Sequence, residues 1–255
     1  MKKFFVLAGV MAALVFSSCK KDKDSSNNGG GNTTKLLKKV TKTENGVTTV
    51  YNVNYDGNKR ITSYGTTDGL ENTTFTYDGA GNVTKVESRD HNYYRVYTYA
   101  YNNGIPVSGT FKTTLKVAGE PDDVQQDDII TYTVVNNQVT KIHQKMNIDD
   151  AEMDINLSYH ASGNLAKAEV QSDYEVYAVN YTYGTKKPAF PTVSKFVLDL
   201  GFSLEFAAKN ELIKMAFDFP GTDADFEEVN QYTYDANGFP LTSNDGEIQI
   251  KFEYQ

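Results

Sequence analysis

From Lys35 onward the chain alternates apolar and polar residues with a period of two, as in Phe75 and Tyr77 against Thr74 and Thr76. Short polar turns break the alternation at near-regular intervals. The clearest copies of the unit are Phe75-Thr76-Tyr77-Asp78-Gly79-Ala80-Gly81-Asn82-Val83 and Tyr232-Thr233-Tyr234-Asp235-Ala236-Asn237-Gly238-Phe239-Pro240, with shorter ones beginning at Val53, Tyr99, Val134 and Leu157. The residue before each turn falls at 55, 77, 101, 135, 159, 183, 208 and 234. Alternation of this kind gives strands with one apolar face, and a fixed period of this size signals a repeat architecture.

Each unit reads as a β-hairpin whose Asp-Gly or Asn-Gly step supplies the positive φ that a tight turn demands. Hairpins in series make an antiparallel meander of roughly 16–18 strands, a width at which a twisted sheet curls or closes. The expected fold is all-β, a barrel-like or strongly curved sheet with a mostly aromatic inner layer; a two-sheet sandwich is the alternative. Residues 118–128 read as a long exposed loop and residues 222–229 as one short helical turn at most. Residues 186–199, with Pro188 and Pro191, form the other large departure from the unit. Insertions on one rim of a repeat fold are where function concentrates.

The N-terminus carries a different signal. Lys2 and Lys3 precede an apolar run over residues 4–16. That is shorter than the roughly 20 residues of a membrane-spanning helix and suits a signal-peptide core. The run ends at Phe16-Ser17-Ser18-Cys19, which resembles the lipobox of bacterial lipoproteins. The resemblance implies that Cys19 is acylated and becomes the first residue of the mature chain. Cys19 is the only cysteine, which excludes a disulfide framework and a cysteine-based zinc site. Residues 20–34 are charged or small and polar, too poor in apolar groups to bury anything. Residues 1–18 therefore read as signal peptide, 19–34 as lipidated cysteine and flexible tether, and 35–255 as the hairpin domain. The charged cluster Lys20-Lys21-Asp22-Lys23-Asp24 resembles the surface-export signals of Bacteroidetes-type lipoproteins.

Charge and candidate chemistry narrow the function. The net charge is −8, and losing Lys2 and Lys3 with the signal peptide deepens it, which argues against a nucleic-acid partner. His91, His143 and His160 do not share metal-ligand spacing. The acidic pairs Asp122-Asp123, Asp127-Asp128 and Asp149-Asp150 fall in segments read as solvated loops, and Asp223-Ala224-Asp225 is only a fragment of a calcium loop. No cofactor is implied. The 18 tyrosines raise another possibility. Tyr93, Tyr94, Tyr97, Tyr99 and Tyr101 crowd one strand, and exposed rings of this kind bind sugars or partner proteins. Tyr94, Tyr97, Tyr99 and Tyr101 are the candidate ligand-binding residues; the alternative is that they are core and cross-strand pairs.

The Tyr-Asp-x-x-Gly turns resemble the YD repeats of Rhs-type wall proteins. Lys39-Val40-Thr41-Lys42, Tyr55-Asp56 and Tyr181-Thr182-Tyr183-Gly184-Thr185-Lys186-Lys187-Pro188-Ala189-Phe190 resemble more closely the Bacteroidetes lipoproteins of porin-like fold. That resemblance implies a cell-envelope location and brings no known active site. The expectation is an outer-membrane lipoprotein, surface-exposed or periplasm-facing, held by its lipid anchor and acting as a non-catalytic binding module for a glycan or protein. A passive structural component and a glycan-active enzyme are the alternatives.

Overall fold

The computed structural model describes residues 35–255, so residues 1–34, with Cys19 and the expected signal peptide and tether, lie outside the described residues. The alternating segments form β1 (Leu37–Glu44), β2 (Val47–Tyr55), β3 (Ile61–Thr66), β4 (Asn72–Tyr77), β5 (Val83–Asp90) and β6 (Tyr93–Asn102). The chain continues through β7 (Ile105–Leu115), β8 (Asp123–Val135), β9 (Gln138–Met146), β10 (Ala151–Tyr159), β11 (Leu165–Ser172) and β12 (Val176–Tyr183). A non-strand segment follows, carrying the short helix α1 (Phe202–Phe206), the single helix among the described residues. The remaining strands are β13 (Leu212–Asp218), β14 (Phe226–Val229), β15 (Gln231–Tyr234), β16 (Pro240–Asn244) and β17 (Ile248–Tyr254).

Consecutive strands other than β14 and β15 pair antiparallel, and β1 pairs with both β2 and β17, so the meander closes on itself. Val40 stands opposite Tyr51 on one side and Phe252 on the other. The step from β14 to β15 is covalent rather than laddered: β14 pairs with β13, and β15 with β16. At the junction Asn230 N–H still bonds the Ile213 carbonyl. The result is a nearly closed barrel of 17 strands, the barrel-like form of the expected fold rather than the sandwich.

Two kinds of turn build it. Asn45-Gly46, Asn103-Gly104 and Asn136-Asn137 have positive φ at both positions, as type I′ hairpins require. The Asp-Gly steps work differently from the expectation. Gly57 and Gly79 do not have positive φ; the left-handed position comes later, at Lys59 (φ 62°), Gly81 (88°), Gly163 (84°) and Gly238 (77°). The aspartate contributes its carboxylate instead. Asp78 Oδ1 accepts from the N–H groups of Ala80 (2.9 Å) and Asn82 (2.8 Å). Asp56 and Asp235 repeat the arrangement. Hydrogen bonds from the turn hold the Asp56 and Asp78 carboxyls below their usual range.

The tyrosine before the turn has its own task. Tyr55, Tyr77, Tyr101 and Tyr159 each donate a hydroxyl, at 2.7–2.8 Å, to the backbone carbonyl at or near the start of the preceding strand: Leu37, Ile61, Val83 and Val139. These carbonyls lie at the frayed end of a ladder, where an acceptor without a partner is costly. At Tyr55-Asp56 and Tyr77-Asp78 the pair thus seals one end of the hairpin: the ring ties down the backbone and the carboxylate closes the turn.

Several sequence expectations need correction. Residues 118–128 are mostly strand: β8 begins at Asp123, and only 116–122 form the turn. Acidic side chains suggested a loop, but the β7–β8 ladder needs only the backbone, and Asp128 is buried with the Gln126 and Gln144 amides donating to it. Residues 226–229 are strand β14 rather than helical turn, because Phe226 stacks on Phe217 across the ladder (4.4 Å between centroids). Residue 208 ends no hairpin; Ala208 follows α1. Residues 184–211 are a plug instead. Pro188 and Pro191 cannot join a ladder, while Phe196, Val197, Leu198 and Phe206 are buried in the main core.

Candidate functional site

A barrel of this strand number encloses more space than its inward side chains fill. The plug fills part of it, and its contacts reach walls far apart around the ring. Phe206 packs against Phe75 of β4 (5.1 Å between centroids), Tyr64 of β3 (6.0 Å) and Phe190 (5.3 Å). Phe190 meets Phe252 of β17 (6.3 Å), and Phe202 meets Tyr97 of β6 (5.3 Å). Tyr132 of β8 donates to the Leu198 carbonyl at 3.0 Å.

A polar knot fixes the segment leading into α1. Asp199 is buried; its Oδ2 accepts from Tyr99 Oη (2.7 Å) and its Oδ1 from the N–H groups of Gly201 (2.9 Å) and Ser203 (3.0 Å). Ser203 Oγ accepts from the Leu198 and Asp199 amides. Burial pushes the Asp199 carboxyl up, against the hydrogen bonds that hold it down. Both of its oxygens have donors, and the bond from Tyr99 latches the plug to the barrel wall. Two other carboxylates are less well satisfied. Glu205 Oε2 and Glu228 Oε2 lack hydrogen-bond partners, and burial pushes both carboxyls up to about 7.

A cleft lies between the plug and the turn rim. Residues 193–196 pass the β4–β5 turn and enclose about 280 Å³ with residues 80–83 and Tyr101. Tyr101 and Phe196 supply aromatic wall; Asn82, Ser194 and Lys195 supply polar groups. The volume lies just under the roughly 300–1,000 Å³ of ordinary small-molecule sites. On the outer wall, a shallower depression of about 210 Å³ includes Tyr94, Glu87 and Arg89.

The four candidate tyrosines therefore separate. Tyr97, Tyr99 and Tyr101 face inward: Tyr97 stacks on Phe111 (4.1 Å between centroids), Tyr99 is 5% exposed on Asp199, and Tyr101 ties down Val83 while walling the cleft. Tyr94 faces outward, its hydroxyl donating to Glu87 at 2.5 Å and its ring flanked by Arg89 and Lys116. The strand's alternation carried this division, since 97, 99 and 101 follow the inward side through a bulge next to Tyr101. The histidines are scattered: His91 sits in a turn, His143 bonds Asp154 on β10, and His160 faces the Tyr181 carbonyl. Among the described residues no three His, Cys, Asp or Glu side chains are grouped to hold a metal ion. Reasoning from sequence missed the latch Asp199–Ser203 and the half-buried Glu205, whose Oε2 is shielded; a carboxylate set among Phe196, Val197, Leu198 and Phe202 was the available signal for the latch.

The fold has known relatives. The RHS Repeat family matches residues 55–92, the span from Tyr55 through the second Tyr-Asp turn to the β5–β6 turn. No curated protein matches the sequence. A porin-like protein from Bacteroides vulgatus is similar in structure, with a TM-score of 0.58 and 14% identity over 87% of this chain and 99% of that one. A porin-like protein from Bacteroides uniformis is similar with a TM-score of 0.51 and 14% identity, over 86% and 98% of the two chains. The chain thus has the fold of these porin-like Bacteroides proteins, with an RHS repeat of Tyr-Asp type over residues 55–92.

Proposed function

We propose that this chain is a lipid-anchored envelope protein of the outer membrane that binds a glycan or protein ligand and carries out no catalysis. The observation that carries the reading is the rim cleft, where the plug and the 80–83 turn bring Tyr101, Phe196, Asn82, Ser194 and Lys195 together. An aromatic wall with a few polar groups is what a small recognition site requires. The outer strand faces are polar, with Thr98 against Thr110, Thr233 against Thr242, and Lys39 paired with Glu253. A spanning barrel would present a continuous apolar band there. The domain therefore sits beside the bilayer, and the Cys19 anchor holds it.

Two measurements test this. Metabolic labelling with palmitate and membrane fractionation should show the wild-type chain lipidated and pelleting, and Cys19→Ala unlabelled and released. A glycan and protein-partner screen should return a ligand whose binding falls with Lys195→Glu. A Cys19→Ala chain that still pellets, or a ligand indifferent to Lys195, contradicts the respective half of the reading. A passive structural role is the second reading; the plugged lumen favours it, since the fold satisfies its own core without a ligand.

A further inference from the structure

In an antiparallel meander every second turn falls on the same rim, so the two ends of the barrel can be compared on one basis. The near rim carries the turns before β3, β5, β7, β9, β11 and β16, the base of the plug, the cleft, and Leu36 and Gln255 at the ends of the ring. The far rim carries eight turns, at 45–46, 67–71, 91–92, 116–122, 147–150, 173–175, 219–225 and 245–247. With the two strand residues flanking each turn included, the near rim is balanced, with eight Lys or Arg and seven Asp or Glu. The far rim holds 18 Asp or Glu against Arg89, Lys116 and Lys145, and Lys116 is paired with Asp122.

The far rim also gathers apolar side chains. Among the described residues 14 large apolar side chains are exposed; nine lie on the far rim and two, Val135 and Leu241, on the near one. A single exposed apolar residue carries no message, but a set confined to one end does. Val47, Leu70, Tyr93, Val117, Ile148 and Tyr174 stand at or beside six successive turns, each at least 40% exposed. Phe226 serves the seventh, held in a stack with Phe217 and with Phe219 (6.2 Å between centroids). Carboxylates flank these tips: Asp173 and Glu175 bracket Tyr174, Asp225 and Glu227 bracket Phe226, and Asp149 follows Ile148.

We infer that the far rim is the docking surface for a protein whose contact face is basic and carries apolar sockets. Apolar anchors within a polar surround are the anatomy of a protein interface. The charge selects the occupant: 18 carboxylates attract a cationic face and speed its approach. They repel an anionic bilayer, and they repel the far rim of a second copy. The area suits such a partner. Strands about 4.8 Å apart and tilted about 40° give an end roughly 30 Å across, on the order of 700–900 Å². A standard interface uses about 800 Å² of each partner. The cleft lies at the opposite end, so the two surfaces can be occupied together.

Photo-crosslinking from single benzoylphenylalanine residues tests this in the cells that make the protein. The probe replaces Leu70, Ile148 or Tyr174 on the far rim, and Val107 or Leu241, exposed elsewhere on the barrel, as controls. The three far-rim probes should give one shared protein adduct that the controls lack, and peptide mapping should place each crosslinked partner residue beside Lys or Arg. Glu120→Lys, Asp149→Lys and Asp223→Lys together, all at exposed positions, should cut the Tyr174-probe adduct at least about fivefold. The neutral set Glu120→Gln, Asp149→Asn and Asp223→Asn should give a smaller loss, and Lys195→Glu none. No shared adduct, adducts to lipid alone, an adduct joining two copies of this chain, or a contact face without Lys or Arg each overturns the inference. A shared adduct indifferent to the charge reversal overturns it too, and one lost with Lys195→Glu would move the partner to the cleft and overturn it as well.

Discussion

Tyr99 on β6 and Asp199 in the plug, 100 residues apart, share a 2.7 Å hydrogen bond in a site shielded from water. The bond joins the barrel wall to the segment that fills the barrel. Removing the hydroxyl leaves a buried carboxylate short of one donor, which is costlier than losing an exposed hydrogen bond. Tyr99→Phe should lower stability by about 1–3 kcal/mol in denaturant unfolding. Tyr93→Phe, at a ring 40% exposed, should change it by less than about 0.5 kcal/mol.

The Tyr-Asp turns predict a contrast between two glycines two residues apart. Gly81 has φ +88°, whereas Gly79 has ordinary φ and open space where a Cβ would stand. Gly81→Ala should destabilise by about 1–2 kcal/mol. Gly79→Ala should be neutral or stabilise by up to about 1 kcal/mol through the unfolded chain. Thermal melts of the two variants decide the point. Equal losses would mean that the left-handed residue is misplaced.

Core packing predicts the largest single loss. Phe206 is 1% exposed and its ring touches Phe75, Tyr64 and Phe190. Phe206→Ala should cost about 3–5 kcal/mol in chemical denaturation. A cost below about 1 kcal/mol would place the plug outside the core.

Stability should fall as the pH rises from about 4.5 to about 7. Glu205 and Glu228 have folded pKa values near 7 against an ordinary 4.5, so the fold binds their protons more tightly than the unfolded chain does. Their favourable contribution is whole below pH 4.5 and disappears as pH climbs through 7. The depressed turn carboxylates Asp56 and Asp78 act at the other end: their contribution stands above about 3.8 and is lost below it. Glu205→Gln should flatten the decline and stabilise the protein at pH 8 by on the order of 2 kcal/mol. A slope unchanged by the substitution would show that Glu205 is hydrated.

Much of this was legible in the sequence. Alternation such as Phe75 and Tyr77 against Thr74 and Thr76 specifies strand and face together, and recurring Tyr-Asp turns specify a meander too wide to stay open. The plug was not legible, because prolines and a broken repeat look the same whether a segment lies on a rim or enters the lumen. The pairing of β12 with β13 brings residues 184–211 out and back at one rim, and the burial of Phe196, Val197, Leu198 and Phe206 in the core puts them inside. The cleft shares this limit: Tyr101 and Lys195 lie on segments whose contact depends on the plug's path. β8 failed for a different reason, since ladder hydrogen bonds are blind to the acidic side chains that suggested a loop.

The central claim is that residues 193–206 occupy the barrel interior, and amide hydrogen exchange tests it without altering the protein. The N–H groups of Val193, Leu198, Asp199 and Ser203 bond to Phe206 O, Ser203 Oγ and Asp199 Oδ1 within the core. They should exchange as slowly as the central amides of β6 and β8, opening only with global unfolding. Exchange as fast as that of Ala118 and Gly119 in the exposed β7–β8 turn would show the segment on the surface, and would contradict the plugged barrel.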